Sequence, residues 1–229
     1  MVRMELQVVQ NYLRQFPVFE VLNNSEFDAL TQMCKHTVVA KHNYVYLSDE
    51  PSTYFCLLVK GTIKTGIHSV EGREVIKSIQ HPFTFFGELG LVGEQNRSEF
   101  ACVMNQEVHY LSVKISDFRE LMNKNYALSQ IILQSLGNRL RKAERQWESL
   151  ILKDVRSRIL EFLKESADAR GRQVGYETMV KHGLTQQDIA NLVGASRQTV
   201  TAILNELKKS NVIYFNRNTI LIRDMAKLN

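Results

Sequence analysis

Apolar residues recur along this chain with two different periods, and the changes of period divide it into segments. Residues 5–35 have apolar positions at helical spacing, with Asn24–Ser25 as a candidate N-cap before Phe27. From there to residue 113, short runs of β-branched and aromatic residues alternate with turn residues, which predicts an antiparallel sandwich or barrel. The predicted strands are Thr37–Ala40, Tyr44–Leu47, Tyr54–Val59, Thr62–Ile67, Val75–Ile79, Phe100–Met104 and Val108–Val113.

Helical spacing returns after Ser116 and continues into a narrow apolar seam on a charged helix. The seam residues are spaced 3, 4, 3, 4, 3, the pattern of a coiled-coil interface. Such a seam buries little surface within its own domain, so a second copy of the chain is expected to cover it, as a homodimer. Packing of the seam on the β region is the alternative. The predicted dimer contacts are Leu133, Leu136, Leu140, Ala143, Trp147 and Leu150.

Two short helices joined by a glycine turn are predicted near the C-terminus. Thr185 is the N-cap candidate of the first helix, with Asp188 in its first turn, and Gly194 suits the left-handed conformation that ends it. Ser196 caps the second helix. The buried faces are predicted to be Ile189, Ala190, Leu192 and Val193 in the first helix and Val200, Ile203, Leu204 and Leu207 in the second. This is a helix-turn-helix, whose second helix enters the major groove of duplex DNA.

The start of the second helix carries side chains that can read base edges. Arg197 can grip guanine and Gln198 can grip adenine, each through two hydrogen bonds. A β-hairpin follows, from Val212–Phe215 to Thr219–Ile222, and would form a wing that contacts phosphate through its tip. Lys208 and Lys209 add sequence-independent attraction. The predicted DNA-binding residues are Thr185, Gln186, Ser196, Arg197, Gln198, Thr199, Thr201 and, at the wing tip beside Asn216 and Asn218, Arg217.

The charge of the chain is concentrated in this last segment. The net charge of the 229 residues is +5, and all of the excess lies in residues 153–229, which hold 13 Lys+Arg against 8 Asp+Glu. A basic module joined to a neutral one is typical of proteins that bind polyanions. The three cysteines, Cys34, Cys56 and Cys102, are scattered among apolar residues and indicate buried thiols in a reducing compartment, so we expect a cytoplasmic location. No apolar run is long enough for a membrane span.

A glycine-containing turn in the β region is a candidate site for a small effector. Gly87 and Gly90 flank Glu88 and Leu89, and Arg97–Ser98 follows. Exposed backbone amides suit an anion, Arg97 can neutralise a phosphate, Ser98 can donate a hydrogen bond, and Glu88 can accept from a sugar hydroxyl. A glycine-rich hairpin closed by an Arg–Glu salt bridge is the structural alternative.

The pattern does not favour an enzyme, a metal site or haem. The six histidines lack metal-ligand spacing, and neither a nucleophile elbow nor a Walker loop is present. Three scattered cysteines do not supply the four thiolates of an iron–sulfur cluster. His81 and His109 are interpreted as ordinary surface or strand histidines rather than haem ligands.

Taken together, these segments resemble a bacterial transcription regulator of the CRP/FNR family. The resemblance covers essentially the whole chain and is carried by residues 87–90 with 97–98, by the long helix through Trp147, by residues 154–159 and 184–190, and above all by Val193–Gly194–Ala195–Ser196–Arg197–Gln198–Thr199–Val200. It implies an α+β fold with an N-terminal antiparallel, jelly-roll-like β-roll in residues 1–116, a dimerisation helix in 117–152 and a winged helix-turn-helix in 153–229.

The resemblance also implies partners and an effector. A homodimer would bind a near-palindromic promoter site and contact RNA polymerase, and cAMP or another cyclic nucleotide would be the effector. The implied effector contacts are Gly87, Glu88, Leu89, Arg97, Ser98 and, near the base, Arg139.

This chain departs from the cAMP-binding relatives at two places. Ala143 and Glu144 replace a Thr–Ser pair that contacts adenine, and Gln198 and Ala202 replace two residues of the TGTGA-reading set, so a different half-site is expected. A regulator with another effector or none, and a nucleotide-binding signalling module that binds protein instead of DNA, remain alternatives.

Overall fold

The chain divides into two compact units, Met1–Leu140 and Arg141–Asn229. The computed structural model describes residues 2–104, 106–216 and 219–228, with side chains from residue 6 onward. The helices are α1 (Val2–Leu13), α2 (Asn24–Met33), α3 (Ile115–Lys124), α4 (Tyr126–Leu152), α5 (Val155–Arg170), α6 (Gln186–Val193) and α7 (Arg197–Lys209). The strands are β1 (Lys35–Val39), β2 (Tyr44–Tyr46), β3 (Tyr54–Lys60), β4 (Ile63–His68), β5 (Glu74–Gln80), β6 (Phe85–Phe86), β7 (Phe100–Val103), β8 (Val108–Lys114), β9 (Arg172–Val174), β10 (Glu177–Lys181), β11 (Ile213–Phe215) and β12 (Thr219–Ile222).

Two antiparallel four-stranded sheets build the N-terminal unit, in the orders β1-β8-β3-β6 and β2-β7-β4-β5. Strand β3 is buried on both faces because its side chains alternate between two hydrophobic clusters. Cys56 and Leu58 join side chains of both sheets in one cluster. Phe55 and Leu57 join side chains of the helices in the other. The predicted antiparallel β architecture is therefore confirmed, and all seven predicted strands form, with ends shifted by at most two residues.

The N-terminal helical segment is shorter and more broken than its apolar spacing predicts. A 3₁₀ helix, Pro17–Val21, separates α1 from α2, and β1 already begins at Lys35. The predicted N-cap at Asn24–Ser25 is wrong by one residue. Asn23 is the cap, because its side chain accepts from the amide of Glu26 while the Glu26 carboxylate accepts from the amide of Asn23.

The C-terminal unit contains a third antiparallel sheet, in the order β11-β12-β10-β9, beside α5, α6 and α7. The predicted hairpin near the C-terminus is confirmed as β11 and β12. In residues 166–182, where no strand was predicted, the end of α5 is followed by a hairpin of β9 and β10. Its strands are short and polar, and β10 is held by pairing with the distant β12, which no local pattern reveals.

Candidate functional site

The two helices of the predicted helix-turn-helix begin and end where their capping residues place them. At the start of α6, Thr185 Oγ1 accepts from the amide of Asp188 at 3.1 Å, and Asp188 Oδ2 accepts from the amide of Thr185 at 2.8 Å. Gly194 ends α6 at a φ of 65°, which favours glycine. Ser196 then caps α7 by accepting from the amide of Thr199 at 3.0 Å.

The start of α7 presents its polar side chains to solvent. Ser196, Arg197 and Gln198 are exposed, while Val200 and Leu204 on the opposite side of the helix are buried. The half-buried Thr201 donates to Gln186 Oε1 at 2.6 Å and so joins the first turns of α6 and α7. A groove of about 640 Å³ is lined by Arg197, Gln198, Thr201, Ala202 and Gln187. Within the predicted buried faces, Leu192 and Ile203 are only half buried.

The wing is held by local hydrogen bonds at its turn. The amide of Asn216 donates to the carbonyl of Thr219, and the Asn216 side chain accepts from the amide of Thr219, both at 3.0 Å. The predicted phosphate contact Arg217 and its neighbour Asn218 lie outside the described residues. Lys208 Nζ lies 4.7 Å from the ring centroid of Tyr214 in β11, which is a cation–π distance.

Arg158 of α5 connects the turn of the helix-turn-helix to the chain segment before α5. Its Nε donates to the carbonyl of Val193 at 2.8 Å, Nη2 to that of Gly194 at 3.3 Å, and Nη1 to that of Lys153 at 2.8 Å. The guanidinium therefore satisfies carbonyls at the C-terminal end of α6, where a positive charge is also favoured by the helix dipole.

We expect Arg158→Ala to lower the free energy of unfolding by about 1–3 kcal/mol, because it leaves these carbonyls without their charged donor. Arg156→Ala is the matched control. Its exposed ion pair with Glu206, at 2.7 Å, is worth about 0–1 kcal/mol at most. Thermal unfolding of the full chain followed by circular dichroism measures both variants, and equal losses would contradict the role assigned to Arg158.

The predicted effector turn is a rigid structure. Gly87 adopts a φ of 71° and precedes a 3₁₀ helix, Glu88–Val92. Gly90 is closely packed, because a Cβ there would lie 2.1 Å from Ile115 Cδ1 and 2.6 Å from Ser52 Oγ, so a larger residue would require these side chains to shift. Arg119 of α3 donates to the carbonyls of Gly90 at 2.6 Å and Leu91 at 3.2 Å. The turn is therefore fixed by packing before any ligand arrives.

Arg97 is buried beneath this turn, with an exposed fraction of 2%. Its Nη1 donates to the carbonyl of Gly87 at 2.7 Å, and its Nη2 donates to that of Tyr54. The guanidinium carbon lies 4.2 Å from the ring centroid of Tyr46. Nε has no hydrogen-bond partner, and none of the carboxylates that the structure describes forms an ion pair with Arg97. The alternative prediction, a turn closed by a salt bridge between Arg97 and a glutamate, is therefore wrong.

Glu88 instead pairs with Arg139 of α4. Glu88 is 4% exposed, and its Oε1 accepts from Arg139 Nη1, while Oε2 is buried without a hydrogen-bond partner. Arg139 Nη2 lies 3.9 Å from Glu99 Oε1, so one guanidinium lies between two buried carboxylates. Burial lowers the pKa of Arg139 and raises that of Glu99.

Four of the six predicted effector contacts are brought together and two are not part of the buried cluster. Gly87, Glu88, Arg97 and Arg139 are connected by the bonds described above. Ser98 is exposed and donates to Glu94 Oε1 at 2.6 Å, and Leu89 is half buried. Four further side chains contact this cluster and were not predicted: Tyr46, Tyr54, Lys77 and Glu99. The signal for Glu99 was its position two residues after Arg97, because burial alternates along residues 97–99.

The predicted seam lies along α4, and most of it is exposed. The exposed fractions of Leu140 and Trp147 are 61% and 66%. Leu136 is the exception, because it packs against the hydrophobic cluster of the helices. The other predicted seam residues are exposed as well: Leu133, Ala143 and Leu150.

Within residues 2–104, 106–216 and 219–228, no helix is long and apolar enough to cross a membrane. No group of three or more His, Cys, Asp or Glu side chains there could hold a metal ion.

Comparison with known proteins identifies two domains in this chain. Residues 157–229 match the family model of the Crp-like helix-turn-helix domain, and residues 36–125 match that of the cyclic nucleotide-binding domain. The CRP-like cAMP-activated global transcriptional regulator of Mycobacterium tuberculosis is 30% identical over 211 residues, which are 92% of this chain and 94% of that protein. The global nitrogen regulator of Synechocystis is 26% identical, over 80% of this chain and 82% of its own.

Among solved structures, that of a CooA mutant from Carboxydothermus hydrogenoformans has the same fold. It superposes with a TM-score of 0.79 at 24% identity, over 93% of this chain and 94% of its own.

Proposed function

Because the chain belongs to the CRP/FNR family of transcription regulators, we propose that it binds a near-palindromic promoter site as a homodimer and that a small anionic effector controls this binding. The relatives with which it aligns are regulators and not enzymes. The observation that carries the proposal is the exposed start of α7, where Arg197 and Gln198 line one groove.

Base reading is assigned to the exposed side of α7. Arg197 would donate two hydrogen bonds to a guanine, and Gln198 would pair with an adenine. Ser196, Thr199 and Thr201 surround them at the helix N-terminus, where backbone amides favour a phosphate. Thr185 and Gln186 start α6 and would contact the backbone of the same half-site, with Lys209 and the wing adding contacts that do not depend on sequence.

The dimer is supported by the exposure of the seam on α4. Leucine and tryptophan side chains at heptad spacing face solvent in the lone chain, and each is worth about 1.5–3 kcal/mol when it is buried. A second copy of the helix would bury them in a coiled coil. Two copies would also present two recognition helices, which matches a site with two-fold symmetry.

An anionic effector is supported by the unpaired charge of Arg97. Burying a charge without a counter-ion is costly, so a phosphate beside Arg97 would supply the missing charge. The free Glu88 Oε2 is a buried acceptor that fits a ribose hydroxyl. These two residues would therefore hold the sugar and phosphate of a cyclic nucleotide such as cAMP, the effector that the name of the Mycobacterium tuberculosis relative states.

A second candidate is a regulator whose effector is not a cyclic nucleotide, or that has none. Ala143 favours it, because a methyl group cannot hydrogen-bond a base at the position where cAMP-binding relatives contact adenine. The ion pairs of Arg139 favour it as well, because the chain's own carboxylates connect α4 to the effector turn.

Contact with RNA polymerase is assigned to residues 167–181. The hairpin of β9 and β10 lies in this stretch, and Tyr176 at its turn is fully exposed, with Val174 beside it. An exposed aromatic side chain is typical of a protein contact. A regulator that meets polymerase on the chromosome works in the cytoplasm, where we place this protein.

Selection of binding sites from random duplex DNA tests the proposal. We expect enrichment of a two-fold symmetric site whose half-sites lie about one helical turn, ~10 base pairs, apart. A pool carried through the same cycles without protein is the control. The selection is repeated with cAMP, and calorimetry measures cAMP binding by the wild type and by Arg97→Ala. A purified monomer that enriches no sequence at low salt, with or without nucleotide, would refute the DNA-binding proposal.

A further inference from the structure

The proposed effector pocket, formed by Gly87, Glu88, Arg97 and Arg139, contains a second buried carboxylate. This is Glu99, whose charge an anionic ligand would have to face. Glu99 is 6% exposed. Its Oε1 lies 3.9 Å from Arg139 Nη2, and its Oε2 lies 3.7 Å from Lys77 Nζ. Burial alternates along residues 97–99, with Arg97 and Glu99 buried and Ser98 exposed, so the side chains of Arg97 and Glu99 lie inside the same unit next to Tyr46.

The charges around this site are almost fully matched without a ligand. Arg139 is shared by Glu88 and Glu99, and Lys77 at the rim pairs with Glu99. Arg97 is the cation left without a carboxylate, yet both of its Nη atoms donate to backbone carbonyls. An anion that enters this site therefore meets one available cation, Arg97. The other cation, Arg139, is already paired with Glu88 and Glu99.

We propose that Glu99 is a specificity-determining residue that acts as an internal counter-ion, because together with Glu88 it occupies the guanidinium of Arg139 that an anionic effector would otherwise bind. This inference rests on the proposed effector site and names its ligand requirement. The effector has to bring an anion to Arg97 and, in addition, a hydrogen-bond donor to the free Oε2 of Glu88, while the carboxylate of Glu99 leaves a like charge near the anion. A bare anion such as inorganic phosphate meets only the first requirement and is repelled by both carboxylates.

Glu99→Gln tests this role with almost no change of shape, because it removes the charge and keeps an oxygen and a similar volume. We expect the dissociation constant of cAMP, measured by calorimetry, to fall about tenfold or more in this variant, since a like charge near the phosphate is removed. We also expect inorganic phosphate to bind this variant measurably and the wild type much more weakly.

Glu74→Gln is the matched control. Glu74 lies on β5 in the same unit and pairs with Lys64 at 2.6 Å, so its replacement makes the same change of net charge away from the pocket. The affinity of Glu74→Gln for cAMP should stay within about twofold of the wild-type affinity, because solvent ions screen a more distant charge. Unfolding temperature and DNA binding are measured for every variant.

The outcomes separate this inference from the proposed function. Equal cAMP affinities in wild type and Glu99→Gln overturn the role of Glu99 and leave a cyclic-nucleotide effector standing. If Glu99→Gln gains phosphate binding but does not bind cAMP, the proposed role of Glu99 is supported and the proposal of a cyclic-nucleotide effector is overturned. Absence of binding by either ligand to either protein overturns both, and the DNA-binding proposal then depends on its own assay.

The unmodified protein offers a second test that no folding defect can obscure. Lowering the pH protonates Glu99, whose pKa burial raises, and this removes one of the two carboxylates beside Arg139, so cAMP affinity should increase in the wild type and stay constant in Glu99→Gln. A wild type whose pH profile matches that of the variant contradicts the proposal. The other charged or titratable groups that face Glu99 are Lys77, Glu94, Arg139 and Tyr46, and Glu88 and Arg97 lie one contact further away, against Arg139 and Tyr46.

Discussion

Replacing Arg197 by alanine is expected to abolish recognition of the selected DNA site while leaving the fold and the dimer intact. Arg197 is exposed at the first position of α7, whereas the packing of that helix depends on Val200, Leu204 and Leu207. Each bidentate contact to guanine is worth about 1–3 kcal/mol, and a dimer would lose two, so the loss is about 2–6 kcal/mol. Fluorescence anisotropy with the selected duplex and a scrambled duplex measures it.

Lys209→Ala separates base reading from attraction to phosphate. Lys209 is exposed in the last turn of α7, and its loss should weaken binding to both duplexes equally and reduce the salt dependence by the equivalent of about two phosphate contacts, one from each copy. Arg197→Ala should change the ratio between the two duplexes. If that ratio stays at its wild-type value in Arg197→Ala, then α7 does not read bases through this side chain.

The second large effect is expected from a charge placed in the seam of α4. Leu140→Glu should convert the dimer to a monomer at micromolar concentration. The change removes an apolar side chain from each copy, worth about 1.5–3 kcal/mol apiece, and puts two carboxylates into one interface. Sedimentation equilibrium measures the mass, and DNA binding should fall in parallel because a monomer covers only one half-site.

Lys142→Glu is the control for this change, because Lys142 is exposed on the same helix but lies off the seam. It should remain a dimer. A Leu140→Glu protein that stays dimeric would show that another surface joins the two copies, and one that loses its circular dichroism signal would instead show a folding defect.

Local chemistry made the helix-turn-helix predictable. Thr185, Gly194 and Ser196 fix the ends of α6 and α7 through bonds to residues no more than four positions away, so the sequence alone determines them. The strands of the N-terminal unit were predictable for a similar reason, since a short continuous apolar run such as that of β3 is consistent with a strand buried on both faces. The elements that could not be predicted are those held by pairing with distant strands, such as the hairpin of β9 and β10.

The effector pocket was predictable only in part, because its polar groups meet across large separations in the chain. Arg139 reaches Glu88 over 51 positions, and no spacing rule connects them. Arg97 was identified correctly as a key side chain, yet its bonds to backbone carbonyls depend on how β3 and the turn pack together. Glu99 was missed because a carboxylate beside an expected phosphate site does not fit the simplest interpretation of that motif.

The solvent-exposed leucines and tryptophan of α4 have a consequence for how a cell could use this protein. If only dimerisation covers them, the concentration of the DNA-binding dimer rises with the square of the total protein concentration as long as most chains are monomers. Halving synthesis would then reduce occupancy of a weak promoter about fourfold. Such a regulator responds steeply to its own expression level, even at a constant level of effector.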